Sequence, residues 1–128
     1  MTINRFEDLE IWKEARVLSS IVKSFTDCSP FCADFRFRDQ IKSASGSIMD
    51  NIAEGFERDG NKEFLQFLSI SKGSCGEVRS QSYRAFDFGY ITQQQLDELI
   101  FKTEKLSNMI GSFIVYLRKS EFKGTKYK

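Results

Sequence analysis

Proline occurs once in the 128 residues, at Pro30, so only one backbone position lacks the amide hydrogen that a helix interior must donate. Turn-forming residues are also confined, gathering at Thr26-Asp27-Cys28-Ser29-Pro30, at Asp59-Gly60-Asn61 and at Gly89. They divide the chain into four long segments whose apolar residues recur three and four positions apart, the spacing that lines one face of a helix. The first helix is predicted from Asp8 to Phe25 with Leu9, Ile11, Trp12, Ala15, Leu18, Val22 and Phe25 inward, and the second from Asp34 to Phe56 with Phe37, Ile41, Ala44, Ile48, Ile52 and Phe56. Asn61 is placed as the N-cap of the third, which carries Phe64, Phe67, Leu68, Ser71, Cys75, Val78 and Phe86 inward until Gly89 stops it. In the fourth, Thr92 and Gln95 have capping-box spacing, and Leu96, Leu99, Thr103, Leu106, Ile110, Phe113 and Leu117 form a heptad seam.

Helices of these lengths reach about 27 to 42 Å, and their short connections favour antiparallel neighbours. The fold class that follows is all-α, an antiparallel up-down-up-down four-helix bundle over residues 1–117 with a basic tail over 118–128. Gly73 and Gly76 lie in the middle of the third helix, each costing about 1 kcal/mol of helix propensity. Their compensation is expected to be close approach of the second helix through Ala44, Gly46 and Ser47 against Gly73 and Ser74, so that Gly73→Leu should be costly.

Histidine is absent, which removes Cys/His zinc sites, imidazole acid–base chemistry and His-activated nucleophiles. Cys28, Cys32 and Cys75 are an odd number and point to reduced thiols, with Cys28 and Cys32 as small apolar filler of a loop and no metal or cofactor site. No serine sits in a nucleophile elbow, and Ser71-Lys72-Gly73-Ser74 has the residues of a phosphate loop in the wrong order. Glu54, Glu57, Glu77 and Glu104 read as solvated helix carboxylates, Glu54 pairing with Arg58 one turn on. A catalytic function is not expected. Neither a secretory leader nor a membrane span is legible, so a cytoplasmic protein without membrane partners is expected.

The net charge of +1 is unevenly spread: residues 118–128 hold five cations and one anion, leaving 14 cations and 17 anions on the rest. Phosphate binding would fall to exposed cations, of which Lys42, Arg58, Arg79, Arg84, Arg118 and Lys119 are the candidates. Thirteen phenylalanines exceed what one bundle seam needs, and Phe35, Phe37, Phe86, Phe88 and Phe101 suggest burial against a second copy. Asn51-Ile52-Ala53-Glu54-Gly55 places Asn51 and Glu54 on one helical face, able to tie the end of the bundle together or to meet a partner.

Phe6-Glu7-Asp8-Leu9-Glu10-Ile11-Trp12-Lys13-Glu14-Ala15, Gln40-Ile41-Lys42-Ser43-Ala44, Ser47-Ile48 with Asn51-Ile52-Ala53-Glu54-Gly55, Lys62-Glu63-Phe64, and Gly73-Ser74 with Glu77 follow one another in a familiar order. The chain thereby resembles the four-helix-bundle proteins encoded within intervening sequences of bacterial large-subunit ribosomal RNA genes, historically labelled a ribosomal protein family. The resemblance implies a ring-like homopentamer without known catalytic activity. A related branch, the accessory variability proteins of diversity-generating retroelements, implies RNA or DNA, or a nucleic-acid-handling protein, as a partner. Relatives commonly carry consecutive basic residues where this chain has Lys42 alone before Ser43-Ala44, and a proline and a small residue where it has Met49-Asp50.

Overall fold

A computed structural model describes residues 3–120. Four helices follow one another, α1 (Glu10–Thr26), α2 (Phe35–Glu57), α3 (Asn61–Asp87) and α4 (Gln93–Lys119), with single 3-10 turns at Phe6–Asp8 and Phe31–Ala33. Among the described residues there is no strand, and the fold is an all-α four-helix bundle.

The helix ends are set by side-chain chemistry. Asp34 accepts the Phe37 amide at 3.2 Å and so caps α2 rather than beginning it. The capping box of α4 is complete: Thr92 Oγ1 accepts the Gln95 amide at 3.1 Å and Gln95 Oε1 accepts the Thr92 amide at 2.8 Å. At the end of α3, Gly89 takes φ +78°, its amide donates to the Phe86 carbonyl and the Tyr90 amide donates to Ala85, which is a Schellman close. One expected cap is corrected. Gly60, with φ +90° and no side-chain cap, precedes α3, whereas Asn61 is already helical and its Nδ2 donates instead to the Leu117 carbonyl at 3.4 Å and to Ser120 Oγ at 3.3 Å.

The helices pack through the faces their periodicity supplies, with Leu18 and Val22 of α1, Ile48 and Ile52 of α2, Phe64 and Leu68 of α3 and Leu106 and Ile110 of α4 in one core. Cross-helix pairs on α2 and α3 run in opposite order, Gln40 with Arg84, Ser47 with Ser74 and Ile48 with Ser71, so these helices are antiparallel. Asn61 with Leu117 and Arg79 with Glu104 show the same of α3 and α4. The α2–α3 and α3–α4 contacts are extensive, α1 lies on α2, and the α1–α4 interface is the thinnest of these.

Two expectations about packing change. In α4 the buried stripe passes through Ile114 and not Phe113, which is half-buried against Phe64 and Tyr116. A helix with 3.6 residues per turn drifts out of a strict heptad, and two successive steps of four, from Leu106 to Ile110 to Ile114, recover the seam. The second change concerns the glycines: a Cβ on Gly46, Gly73 or Gly76 would meet nothing within 4 Å, so none of them marks close helix approach. Their neighbours do. Ser47 Oγ and Ser74 Oγ lie 3.2 Å apart, Ser71 Oγ donates to the Ile48 carbonyl at 2.8 Å, and Ala44 and Ser45 are buried beside them. The glycine that contact requires is Gly55, where a Cβ would stand 2.6 Å from Phe67 Cβ.

Candidate interaction surface

The Asn51 to Gly55 block works inside the bundle. Asn51 Nδ2 donates to the Ser47 carbonyl at 2.7 Å and to Ser47 Oγ at 2.9 Å, which continues to Ser74 on α3. Ile52 is buried, Ala53 is half-buried, and Gly55 lets Phe64 and Phe67 approach. Glu54 faces outward and meets Arg58 at 3.2 Å, as an i,i+4 pair should.

The six candidate cations do not form one face. Arg58 stands between Glu54 and Glu63, 3.8 Å from the latter, with its guanidinium 5.2 Å from the centre of the Phe67 ring. Arg79 reaches Glu104 of α4 at 3.3 Å. Arg84 donates to Gln40 Oε1 at 3.2 Å and lies 4.3 Å over Phe37. Lys42, half-buried on α2, adds to the field that holds the Asp27 carboxyl below its usual range, an effect led by the 2.6 Å hydrogen bond from Lys23. Arg118 and Lys119 occupy the last turn of α4, where positive charge complements the helix dipole, rather than a tail beyond the helix. The remaining tail cations, Lys123, Lys126 and Lys128, lie outside the described residues.

A basic feature that the sequence reading passed over stands at the start of α2. Phe35 is 65% exposed with the Arg38 guanidinium 4.9 Å from its ring centre, and Phe88 is 55% exposed, edge-on to Phe37 and Tyr90. The signal was present as Phe35-Arg36-Phe37-Arg38, alternating aromatic and cationic residues. Beneath it, Phe31, Phe37 and Tyr90 stack, and Tyr90 hydrogen-bonds Asp34. Cys28 is exposed rather than packed as filler, Cys32 is half-buried, and Cys75 is buried, its thiol pushed up to about 12 by loss of solvent. Among the described residues, no group of His, Cys, Asp and Glu gathers as a metal cluster would, and no helix is long and apolar enough to cross a membrane.

Of the five phenylalanines expected to seek a second copy, Phe37 is buried and Phe86 half-buried, while Phe35, Phe88 and Phe101 are exposed. Phe101 belongs to the largest concavity of those described. Because α1 and α4 touch least, they leave between them an open trough of about 970 Å³, walled by exposed Phe101 and Tyr116 and floored by Leu9, Ile11, Met109 and Phe113. Asp8, Glu10 and Glu104 stand around it against the single cation Lys105, which itself pairs with Glu14 at 3.6 Å.

Comparison with known proteins places this geometry. No curated protein matches the chain. A crystal structure at 1.70 Å of a protein of unknown function from the S23 ribosomal protein family of Bacteroides thetaiotaomicron VPI-5482 superposes with a TM-score of 0.75 at 19% identity, covering 82% of this chain and 95% of that one. That likeness establishes the shared bundle. The model of the 23S rRNA-intervening sequence proteins matches residues 7–112, from the turn before α1 into the last turns of α4, and the chain belongs to that family.

Proposed function

We propose that the protein is a non-catalytic interaction module that works as a homo-oligomer, a pentamer, and associates in that form with nucleic acid, RNA in the first instance. The observation that carries the proposal is the α1–α4 trough. Phe101 and Tyr116 are 63% and 49% exposed beside a row of apolar floor residues, a surface that a monomer rarely leaves in water. The nucleic-acid part is supported by exposed Phe35 beside the Arg38 guanidinium and by exposed Phe88 edge-on to Phe37, over which Arg84 lies, a group of rings and cations that suits stacking on unpaired bases better than tracking a duplex. A ring would repeat that cluster on every copy and convert weak single contacts into avidity.

A second reading, a protein-binding scaffold without nucleic-acid affinity, draws on Arg58 and Arg79, whose charges already face carboxylates. Light scattering at 150 mM and 1 M salt, with and without a generic structured RNA carrying single-stranded loops, tests both. A salt-resistant pentamer that gains mass with RNA at the lower salt is the expected result. A pentamer indifferent to RNA transfers the reading to the scaffold, and a monomer refutes the assembly.

A further inference from the structure

We infer that the α1–α4 trough receives the C-terminal segment of a second copy, Glu121–Lys128, so that each copy hands its basic end to its neighbour. This rests on the oligomeric reading above and names the segment that makes the contact.

Ser120 is held against α3, its Oγ accepting from Asn61 Nδ2 at 3.3 Å, and the same amide reaches the Leu117 carbonyl. The trough lies on the other flank of α4, between that helix and α1. Ser120, the last described residue, is therefore held on the flank of α4 away from its own trough.

Length and chemistry suit the segment to the trough. Eight residues reach about 28 Å when extended, and the trough follows α4 from Phe101 to Tyr116, about 22 Å at 1.5 Å per residue. Phe122 and Tyr127 supply apolar side chains for an apolar floor, and Lys123, Lys126 and Lys128 outnumber Glu121 where the rim offers Asp8, Glu10 and Glu104. Those carboxylates are engaged only in exposed surface pairs with Arg5, Lys13 and Arg79, which compete weakly. The donor surface differs from the acceptor surface, so the contact is head-to-tail, the kind from which a ring is built when its rotation closes.

The test uses the full chain in mixed oligomers of ¹⁵N-labelled and unlabelled copies, treated with a zero-length carbodiimide cross-linker and read by mass spectrometry. Mixed-isotope links from Lys123, Lys126 or Lys128 to Asp8, Glu10 or Glu104 are expected. Phe122→Ser with Tyr127→Ser should abolish them and weaken assembly at least tenfold, and Phe101→Glu, at an exposed position that the fold does not need, should do the same. Links confined to one copy, or a wild-type-like oligomer in both variants, overturn the inference while leaving the oligomeric reading intact. A wild-type chain that is monomeric by light scattering defeats that reading itself, and this inference with it.

Discussion

The Tyr90 hydroxyl donates a 2.6 Å hydrogen bond to Asp34 Oδ2 across 56 positions of sequence, tying the α3–α4 connection to the carboxylate that caps α2. The same carboxylate accepts the Phe37 amide through Oδ1, so one side chain starts a helix and anchors a loop. Both titrations are displaced: the Tyr90 hydrogen bond, then the Phe37 amide, lowers the Asp34 pKa, and the bond to Asp34 raises that of Tyr90. A lowered carboxyl contributes stability above its unfolded value and loses it as pH falls through the folded value; a raised phenol contributes below its unfolded value and loses it as pH rises. Tyr90→Phe should therefore lower the melting temperature by a constant amount between about pH 5 and pH 9, the gap from wild type closing below about pH 4 and above about pH 10. Thermal melts of both proteins across that range check it, and a gap independent of pH would show that the pair does not titrate as a unit.

Gly55 and Gly73 should respond oppositely to the same substitution. At Gly55 the new methyl would lie 2.6 Å from Phe67 Cβ and 2.9 Å from Phe64 Cδ1, and a Cβ cannot swing aside as a side-chain tip can. Gly55→Ala should cost about 1 to 3 kcal/mol through overpacking. Gly73 faces open space inside a helix, so Gly73→Ala should gain up to about 1 kcal/mol from helix propensity alone. Urea titration of the two variants decides it, and a destabilised Gly73→Ala would restore the close-packing role first expected of that residue.

That reversal shows where the sequence was legible and where a second rule misled. Periodicity identified four helices and most core positions, because burial of one face is the main demand on each helix. The same periodicity already placed Gly73 two residues, about 200° of rotation, from both Ser71 and Cys75, on the opposite face from the core. The preference for small residues at helix crossings holds only on the face that meets a neighbour, and Gly73 is not on it. Gly55, three residues beyond Ile52 on the core stripe, was the glycine the pattern favoured. The trough was not legible, since it arises from how thinly α1 and α4 meet, a property of helix placement and not of any one segment. Phe35-Arg36-Phe37-Arg38 alternates aromatic and cationic residues in the sequence itself, but only the fold sets Arg38 beside exposed Phe35 while Phe37 turns into the core.

The three thiols should divide by environment. Cys75 is fully buried and its thiol is pushed up to about 12, leaving about one part in ten thousand ionised at pH 8. Cys28 is exposed and Cys32 half-buried in the turn between α1 and α2. A chromogenic disulfide reagent at pH 8 should titrate two thiols in the native protein and the third only on unfolding. Rapid reaction of all three would mean that the α2–α3 seam opens far more often than its packing implies.

Gln81 carries the clearest unmet demand among the described residues. It is 5% exposed, its Nε2 reaches Glu77 Oε2 at the long distance of 3.4 Å, and its Oε1 is buried without a hydrogen-bond partner. An unpaired buried acceptor costs about 1 to 3 kcal/mol, more than a weak bond to a surface carboxylate returns. Methionine has a similar length and no amide to satisfy. Gln81→Met should therefore stabilise the bundle by about 1 kcal/mol, read as a higher urea midpoint at unchanged slope. Gln81→Glu should do the reverse, placing a charge where even a neutral oxygen finds no donor and adding repulsion with Glu77 one turn away. If methionine destabilises as much as glutamate does, the amide oxygen is satisfied in solution, and Gln81 belongs to the small polar seam of α3 that Ser71, Ser74 and Ser82 mark.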